Sequence, residues 1–408
     1  MSSSQAALPT FSRVIGGEFP LSRDEAELWL AGEEGDLSSS VVAVCELYGG
    51  DLGTARWLRY GRSALGVALG LCDIQPTSRV ALPAYQCGAV VNKVASYTQN
   101  WTAYGLNEFL IPDSRELLEL SRTAHAVITC VYFGSRTIEY RLQEYTEDLR
   151  NLQTVPWIIE DRVMCFPDLP CLIGAAERCD FALLSLRKHY PVPDGALLVA
   201  CSDRAREVMG DRSNAYSVGQ VDVQRAIRQK VLAKVKRHAW LSVSPFVDDP
   251  LRNGRNESVS SEACLDIVAD SKDADSLPGT TASARYILER NLVCDVRDVR
   301  KRSQLVVDGL RSIEHSKITA NVEDCCGIGV PLLVANRDAF RSMAAENGIF
   351  LPVHWPRHEA MQAYVSVQFW YMREVTVPIV PGGSEDDIVF LIDMLARLCR
   401  ESTAYQDN

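Results

Sequence analysis

Short apolar segments alternate with amphipathic segments from about residue 54 onward, and this alternation restricts the possible folds more than any other feature. The apolar runs, such as residues 80–83 and 126–133, have the length of buried strands. Between such runs, residues 62–72 carry apolar side chains at the i, i+3, i+4 and i+7 positions of a helix. Strands that alternate with helices form a mainly parallel sheet covered by helices on both faces. The sequence therefore predicts an α/β fold.

The remaining pattern divides the chain into three parts. Residues 1–40 are predicted to be a lead-in that packs on a small domain, 41–280 a large domain, and 281–408 the small C-terminal α/β domain. Predicted strands span 80–83, 101–104, 126–133, 156–160, 181–184, 196–200, 327–334, 350–354 and 375–380. Predicted helices span 62–72, 88–96, 114–123, 140–151, 221–240, 282–313, 337–347 and 385–400, with a polar loop at 248–281.

Composition excludes several classes of protein. The 408 residues are 47% hydrophobic and 23% charged, with a net charge of −11, and no Lys/Arg block indicates a nucleic-acid partner. We expect a cytoplasmic protein, because no apolar run reaches membrane-spanning length and the N-terminus lacks a signal peptide pattern. Thirteen scattered cysteines suit reduced thiols, and their spacing predicts neither a disulfide framework nor a metal site.

One lysine lies at the end of a predicted buried strand. The apolar run of residues 181–184 stops at Ser185, Lys188 follows three residues later, and prolines and a glycine then force irregular backbone. An amine held partly out of water loses proton affinity, and a neutral amine can condense with an aldehyde. The hydroxyl of Ser185 is near enough in sequence to hold an anion beside that aldehyde. The alternative interpretation of Lys188 is a solvated surface lysine in a loop.

Further candidates lie at the same predicted sheet edge, where open α/β folds bind their ligands. A helix opens at Gly61-Arg62-Ser63-Ala64, and its free N–H groups and dipole suit a phosphate. A loop at residues 83–87 follows one strand, and Asp161 follows another. Each feature is common alone, as a helix start or a turn former. Together with Lys188 they match pyridoxal 5′-phosphate (PLP), whose phosphate needs an anchor, whose aldehyde needs an amine and whose ring nitrogen needs a carboxylate.

Seven short motifs then occur in one order along the chain. They are Ile15-Gly-Gly-Glu-Phe-Pro-Leu21, Gly61-Arg-Ser-Ala-Leu65, Leu82-Pro-Ala-Tyr-Gln-Cys87, Val131-Tyr-Phe-Gly134, Ile159-Glu-Asp161, the lysine segment 180–195, and residues 348–356 ending in His354-Trp355-Pro356. Over nearly the whole chain, this set resembles the fold-type I PLP enzymes, in the DegT-type branch that includes sugar aminotransferases. The resemblance implies a large domain with a mainly parallel sheet, a smaller C-terminal α/β domain, PLP as cofactor and a homodimer.

The resemblance also implies roles for individual residues. Lys188 would carry PLP and Asp161 would meet its pyridine nitrogen, with the cofactor lined by Ser63, Ala64, Gln86, Cys87, Met164 and Ser185. Two of these positions depart from the branch. Cys87 stands where an aromatic residue often faces the cofactor, and Met164, which cannot donate a hydrogen bond, stands where His or Gln often lies. The departures leave PLP binding expected and argue against an ordinary nucleotide-sugar substrate.

The sequence therefore predicts a PLP-dependent aminotransferase in sugar or specialised-metabolite biosynthesis. It would move an amino group from an amino-acid donor, such as Glu or Gln, to a keto or aldehyde acceptor, with Lys188 as the proton carrier. Candidate substrate residues are His354, Arg357 and Arg373, because arginine can hold a carboxylate bidentately. Two alternatives stay open, since the same Lys and Asp serve many reactions: a PLP-dependent lyase or aldol-type enzyme, and a regulatory protein without turnover.

Overall fold

The structure of the protein is a computed structural model. At its centre, seven described strands form one sheet. The structure describes residues 15–16, 55–58, 60–152, 154–166, 175, 177–189, 195–211, 296–313, 324–379 and 384–404. The sheet strands are β2 (Ala55–Leu58), β3 (Val80–Pro83), β4 (Trp101–Tyr104), β5 (Ala126–Cys130), β6 (Trp157–Asp161), β7 (Phe181–Ser185) and β8 (Ala196–Ala200). The accompanying helices are α1 (Gly61–Leu71), α2 (Gly88–Tyr97), α3 (Ser114–Ser121), α4 (Arg136–Leu149) and α5 (Asp203–Asp211).

The C-terminal part carries two smaller sheets. Its helices are α6 (Val296–Arg311), α7 (Arg337–Glu346), α8 (Gln368–Arg373) and α9 (Glu385–Ala404). Strands β9 (Val330–Leu333) and β11 (Glu374–Val377) pair antiparallel, and β10 (Ile349–Phe350) pairs parallel with β1 (Ile15–Gly16). Helix α9 packs against both α6 and α7. Among the described helices, none has the length and apolar character that a membrane crossing requires.

The order of the strands places the predicted site at one edge of the large sheet. The order is β2-β8-β7-β6-β5-β3-β4. Strands β3 to β7 pair parallel, and β8 pairs antiparallel with both β7 and β2. The prediction of a mainly parallel sheet is therefore confirmed. Because β8 returns directly beside β7, the lysine segment is the connection between two neighbouring strands at the carboxyl edge.

Burial holds the first helix of the sheet in place. Leu65, Ala68 and Leu69 of α1 have no exposed area, and the helix packs on β7, β8 and α2. Complete burial of a leucine side chain stabilises the folded chain by about 1.5–3 kcal/mol. The hydroxyl of Tyr97 in α2 adds a hydrogen bond to the carbonyl of Gly66 at 2.8 Å. This packing fixes the N-terminus of α1 beside the carboxyl ends of the strands.

Several predicted boundaries need correction. The strand predicted at 126–133 ends at Cys130, because Phe133 and Gly134 adopt positive φ values of 53° and 67° in a 3-10 turn. The helix predicted at 140–151 begins at Arg136, where Ser135 caps it by accepting a hydrogen bond from the Ile138 N–H. Polar side chains in the first turn of α4 hide this start in the hydrophobic pattern.

Other differences concern short elements. Of the strand predicted at 350–354, only Phe350 is in a strand, since β10 is Ile349–Phe350. Asp161 is the last residue of β6 and not the residue after it. Strand β2 was not predicted, because four residues at an edge carry too little pattern. The helix predicted at 221–240, the loop at 248–281 and the residues after His189 up to 194 lie outside the described residues. Of the helix predicted at 282–313, Val296–Arg311 is helical.

Candidate functional site

Four strands bring their last residues to one edge of the sheet. Pro83 ends β3, Cys130 ends β5, Asp161 ends β6 and Ser185 ends β7. The parallel register pairs Cys130 with Asp161. Paired residues of neighbouring strands present their side chains on the same face. The thiol of Cys130 and the carboxylate of Asp161 therefore lie side by side.

Asp161 is a buried carboxylate with one unsatisfied oxygen. Its side chain is 1% exposed, and its Oδ1 accepts a hydrogen bond from the Val163 N–H at 3.0 Å. No described residue donates to Oδ2. Burial raises the pKa of this carboxyl, while the Val163 N–H, the charge of Lys188 and the amide of Gln86 act in the opposite direction. A buried acceptor without a donor calls for a partner beyond the described residues. The protonated pyridine nitrogen of PLP is such a donor, so Asp161 fits this cofactor.

Lys188 lies at the same edge as Asp161. A single 3-10 turn, Leu186–Lys188, follows β7 directly and leaves the lysine side chain half-buried. Ser185, at the end of β7, is buried. The charge of Lys188 acts on four nearby ionisable groups, always to lower the pKa: the buried Cys130, Asp161 and His189, and the half-buried His354. For Cys130 and Asp161, burial outweighs it and leaves the pKa raised. The structure therefore brings the predicted lysine and carboxylate into one electrostatic environment.

Two histidines accompany Lys188. Burial, together with the nearby lysine charge, lowers the pKa of both His189 and His354 to about 3. Both imidazoles are therefore neutral at pH 7. The Nε2 atom of each is buried without a hydrogen-bond partner among the described residues. The ring of His189 packs edge-on against Phe166, with centroids 5.6 Å apart. His354 was predicted from its motif, whereas His189 was missed because a histidine beside a lysine carries no pattern.

The start of α1 lies next to the turn that follows Asp161. Ser63 and Ala64 are buried in its first turn, and the Ala64 N–H donates to the carbonyl of Tyr60 at 3.0 Å. A Cβ added to Gly61 would stand 3.2 Å from Cγ1 of Val163. The first turn of α1 contains no acidic residue. A helix N-terminus of this kind suits an anion, so the predicted phosphate position is compatible with the structure.

Gln86 and Cys87 follow β3 at the same edge. The Gln86 side chain is completely buried, its Oε1 accepts from the Cys87 N–H at 2.7 Å, and its Nε2 has no partner in the described part of the chain. Cys87 precedes the first residue of α2 and carries a half-buried reduced thiol. The Gln86 N–H donates to the Tyr371 hydroxyl at 2.9 Å, so α8 holds this loop in place.

Met164 is held in place by residues 326–328 from the C-terminal half of the chain. Its side chain is completely buried, and its carbonyl accepts from the Ile328 N–H at 3.1 Å. Gly327 approaches so closely that an added Cβ would stand 2.3 Å from this carbonyl oxygen. Gly134 meets the same segment, since its Cβ would stand 2.1 Å from the carbonyl oxygen of Cys326. Both close approaches require glycine.

The two predicted substrate arginines are exposed. Arg357 donates from Nη1 to the Gln368 side chain at 3.2 Å, and the carbonyl of Arg373 accepts from the Val334 N–H. Among the described residues, no hydrogen bond or ion pair joins either guanidinium to Lys188 or Asp161. Their part in substrate binding stays a prediction.

A buried aromatic cluster lies behind the loop that carries Gln86. Tyr85 is at its centre, with ring centroids 4.9 Å from Trp355 and 4.8 Å from Tyr371. The Tyr132 hydroxyl donates to the Tyr85 carbonyl at 2.6 Å, and the Tyr371 hydroxyl donates to the Ala84 carbonyl at 2.9 Å. The cluster therefore ties the ends of β3 and β5 to the C-terminal part of the chain.

Comparison with known proteins establishes the fold. No protein-family model matches the sequence, and no curated protein matches it. CalS13, a sugar aminotransferase from Micromonospora echinospora, is 15% identical, with 96% of this chain and 99% of that one aligned at a TM-score of 0.62. Spr1654 from Streptococcus pneumoniae, a candidate sugar aminotransferase solved in its PLP form, is 14% identical over 95% and 99% of the two chains, with a TM-score of 0.63.

The same likeness extends to an aminotransferase described as DegT DnrJ EryC1 StrS, from Brucella abortus. It is 14% identical over 91% of this chain and 94% of its own, with a TM-score of 0.56. The chain has the fold of the fold-type I PLP aminotransferases. This confirms the predicted fold class and the resemblance to the DegT-type branch at the level of structure.

Proposed function

We propose that this protein is a PLP-dependent aminotransferase. The observation that carries the proposal is the placement at one sheet edge of Lys188, on the turn after β7, and Asp161, a buried carboxylate whose Oδ2 lacks a described partner. A lysine amine can hold the aldehyde of PLP, and a carboxylate can hold its ring nitrogen in the protonated form. The common fold with CalS13 and the Brucella protein, both described as aminotransferases, supports the proposal.

PLP, when bound, supplies an electron sink for the substrate carbon. In the proposed site, Lys188 carries the aldehyde end and Asp161 pairs with the ring nitrogen. Ser63, Ala64 and Ser185 hold the phosphate, and Gln86, Cys87 and Met164 line the cofactor. The roles of Lys188, Asp161 and the phosphate residues are supported by the sheet edge, by the Asp161 Oδ2 without a described partner and by the N-terminus of α1. The lining roles of Gln86, Cys87 and Met164 follow from the resemblance to the DegT-type branch.

Lys188 also moves a proton in this proposal. Its amine takes the proton from the α-carbon of the amino-acid donor and later delivers a proton to the acceptor carbon. The adjacent imidazoles of His189 and His354 are neutral at pH 7, so they add no positive charge beside the amine. Each ring also has a buried Nε2 atom without a partner among the described residues.

The proposed reaction uses an amino-acid donor and a keto or aldehyde acceptor. The likeness to CalS13, described as a sugar aminotransferase, supports an acceptor from sugar or specialised-metabolite biosynthesis. Cys87 stands where the related branch often has an aromatic side chain, and Met164 where it often has His or Gln. These differences argue against an ordinary nucleotide sugar as the substrate. His354, Arg357 and Arg373 are proposed to contact substrate, and a homodimer in the cytoplasm completes the proposal.

Borohydride reduction of the PLP-loaded protein tests the cofactor assignment. The label is expected on the peptide that contains Lys188, and the Lys188→Ala variant should carry none. Asp161→Asn should bind some PLP and lose most turnover, because a neutral amide stabilises a protonated ring poorly. A label on a different lysine, or normal turnover in Asp161→Asn, would contradict these roles.

A half-reaction separates aminotransfer from the other PLP reactions. With donor alone, an aminotransferase must convert its bound PLP stoichiometrically to pyridoxamine phosphate, and the correct acceptor must restore PLP. A panel of Glu, Gln, Ala and Asp serves as donors. Catalytic consumption of an amino acid without acceptor and without pyridoxamine phosphate would favour the lyase or aldol-type alternative.

Light scattering tests the proposed homodimer. It would show whether the active form is a dimer or a monomer of 45.2 kDa.

A further inference from the structure

Four charged side chains form a buried network on the face of β6 opposite to Asp161. Glu160 and Arg162 are each 1% exposed, Arg178 is 6% exposed and Glu139 is 21% exposed. Oε1 of Glu160 accepts from Arg162 at 2.5 Å and from Arg178 at 3.1 Å, and Arg162 also pairs with Glu139 in the first turn of α4. Two positive and two negative charges balance one another, which is the condition for burying them.

The charges of the two arginines hold Glu160 ionised. Burial acts to raise the pKa of this carboxyl, but Arg178 and Arg162 outweigh it and leave the pKa below its ordinary value. The network is therefore a set of full charges and not of neutral groups. Charge-assisted hydrogen bonds are stronger and more directional than neutral ones, so the network holds its members in defined positions.

Asp161 stands between two members of this network. Side chains alternate along β6, so Glu160 and Asp161 face opposite sides of the sheet. The ion pairs of Arg162 with Glu160 and with Glu139 of α4 place its guanidinium on the side of Glu160. Arg162 begins a tight turn, in which the Cys165 N–H donates to the Arg162 carbonyl at 2.9 Å. The Val163 N–H within that turn donates to Oδ1 of Asp161. A backbone hydrogen bond that orients the Asp161 carboxylate thus comes from a turn whose first residue Arg162 anchors.

We propose that Arg162 is a positioning residue for the cofactor, in that its ion pairs with Glu160 and Glu139 hold the turn that aims Oδ2 of Asp161 at the ring nitrogen. The inference rests on the proposed function. It assigns a role to a residue for which the resemblance to PLP enzymes provides none. The guanidinium is held by Glu160 and Glu139, so it acts through the Arg162 backbone, the Val163 N–H and the Asp161 carboxylate.

A double-mutant cycle on PLP binding tests this chain of contacts. Arg162→Met should raise the Kd for PLP about tenfold, because the Asp161 carboxylate loses its fixed orientation. In an Asp161→Asn background the same substitution should change the Kd less than about threefold, since the group through which Arg162 acts is already lost. The readout is equilibrium PLP binding, followed by absorbance and tryptophan fluorescence, and needs no turnover.

A charge-balanced variant covers the case in which Arg162→Met fails to fold. Glu139→Gln/Arg162→Met removes one charge of each sign, so Glu160 and Arg178 remain paired. We expect this protein to fold and still to bind PLP about tenfold more weakly. Arg141→Met is the matched control. Arg141 lies on α4, as Glu139 does, and forms an exposed ion pair with Glu144 at 2.8 Å. Its Kd should equal that of the parent protein.

The outcomes separate the inference from the proposed function. An unchanged Kd in the charge-balanced variant overturns the role of Arg162, and so does an equal loss of affinity in the parent and Asp161→Asn backgrounds. The second result would mean that Arg162 only stabilises the fold. A parent protein that binds no PLP overturns the proposed function, and this inference falls with it.

Discussion

Glu374 should make the stability of this protein depend on pH near neutrality. It begins β11 and has no exposed area, Thr376 donates to its Oε1 at 2.5 Å, and no residue in the described ranges donates to Oε2. Burial raises its pKa from 4.5 to about 7, although Thr376, Arg337 and Arg341 act to lower it. Burial, and after it the charge of Glu374, raises the pKa of Tyr85.

The direction of the effect follows from the proton count. The folded state keeps the Glu374 proton up to about pH 7, whereas the unfolded chain releases it near pH 4.5, so stability falls as pH rises between these values. Each pKa unit corresponds to about 1.4 kcal/mol. Burial of Glu374 therefore costs the fold about 3 kcal/mol above neutrality, where the carboxylate is ionised. Near pH 5.5 the cost is about half of that, because the fold must take up a proton that the unfolded chain has mostly released.

Glu374→Gln removes this titration and keeps an acceptor for Thr376. We expect the variant to exceed the parent protein in unfolding free energy by about 3 kcal/mol near pH 8.5, and by about half of that near pH 5.5. Urea unfolding, followed by the fluorescence of the seven tryptophans, measures both values. Glu346→Gln is the control, since Glu346 is an exposed carboxyl at the end of α7.

Two results would refute this reasoning. A gain that is the same at both pH values would show that Glu374 does not titrate between them. A loss of stability near pH 8.5 would show that the ionised carboxylate is favourable in the fold, and that Arg337 and Arg341 outweigh burial.

Three further substitutions test the contacts around the site. Tyr371→Phe removes the hydroxyl that accepts from the buried Gln86 N–H, so we expect a loss of about 1–3 kcal/mol in urea unfolding. Tyr364→Phe is its control, because that hydroxyl accepts from a backbone N–H at 3.2 Å in a half-exposed position and should matter less; equal losses would argue against a special role for Tyr371. Gly327→Ala should lower the melting temperature and the PLP affinity together, since its Cβ would meet the Met164 carbonyl oxygen at 2.3 Å; an unchanged melting temperature would exclude this close approach. Asp324→Ala removes three hydrogen bonds to the start of α4, from Ser135 and Thr137, and should cost about 2–4 kcal/mol of unfolding free energy, while a value near zero would contradict these contacts.

Much of the fold could be predicted because local pattern and fold agree. Strands β3, β4 and β8 have the predicted bounds, since each is a short apolar run between polar turns. Lys188 and Asp161 were both predicted at strand ends, and the structure places them at one sheet edge. Alternation of strands with helices forces a parallel sheet, and a parallel sheet gathers its carboxyl ends on one side.

The tertiary structure decided what neighbouring strands and distant segments bring together. Cys130 lies beside Asp161 only because of the register between β5 and β6. His189 becomes part of the site through burial next to Lys188, and the close approach of Gly327 to Met164 joins residues far apart in the chain. Such contacts depend on pairing across the sheet, which a hydrophobic period does not encode.

The charged residues show most clearly what local sequence pattern predicts and what only tertiary structure decides. Residue type alone does not place Glu160 and Arg162 in the interior, since charged side chains are almost never buried without a partner. Their partners, Arg178 and Glu139, come from a different segment and from the first turn of α4. The sequence by itself determined the order of strands, helices and motif residues, because these follow from local periodicity. Which charges are buried together was decided only by tertiary packing, because ion pairing joins side chains that no local pattern connects.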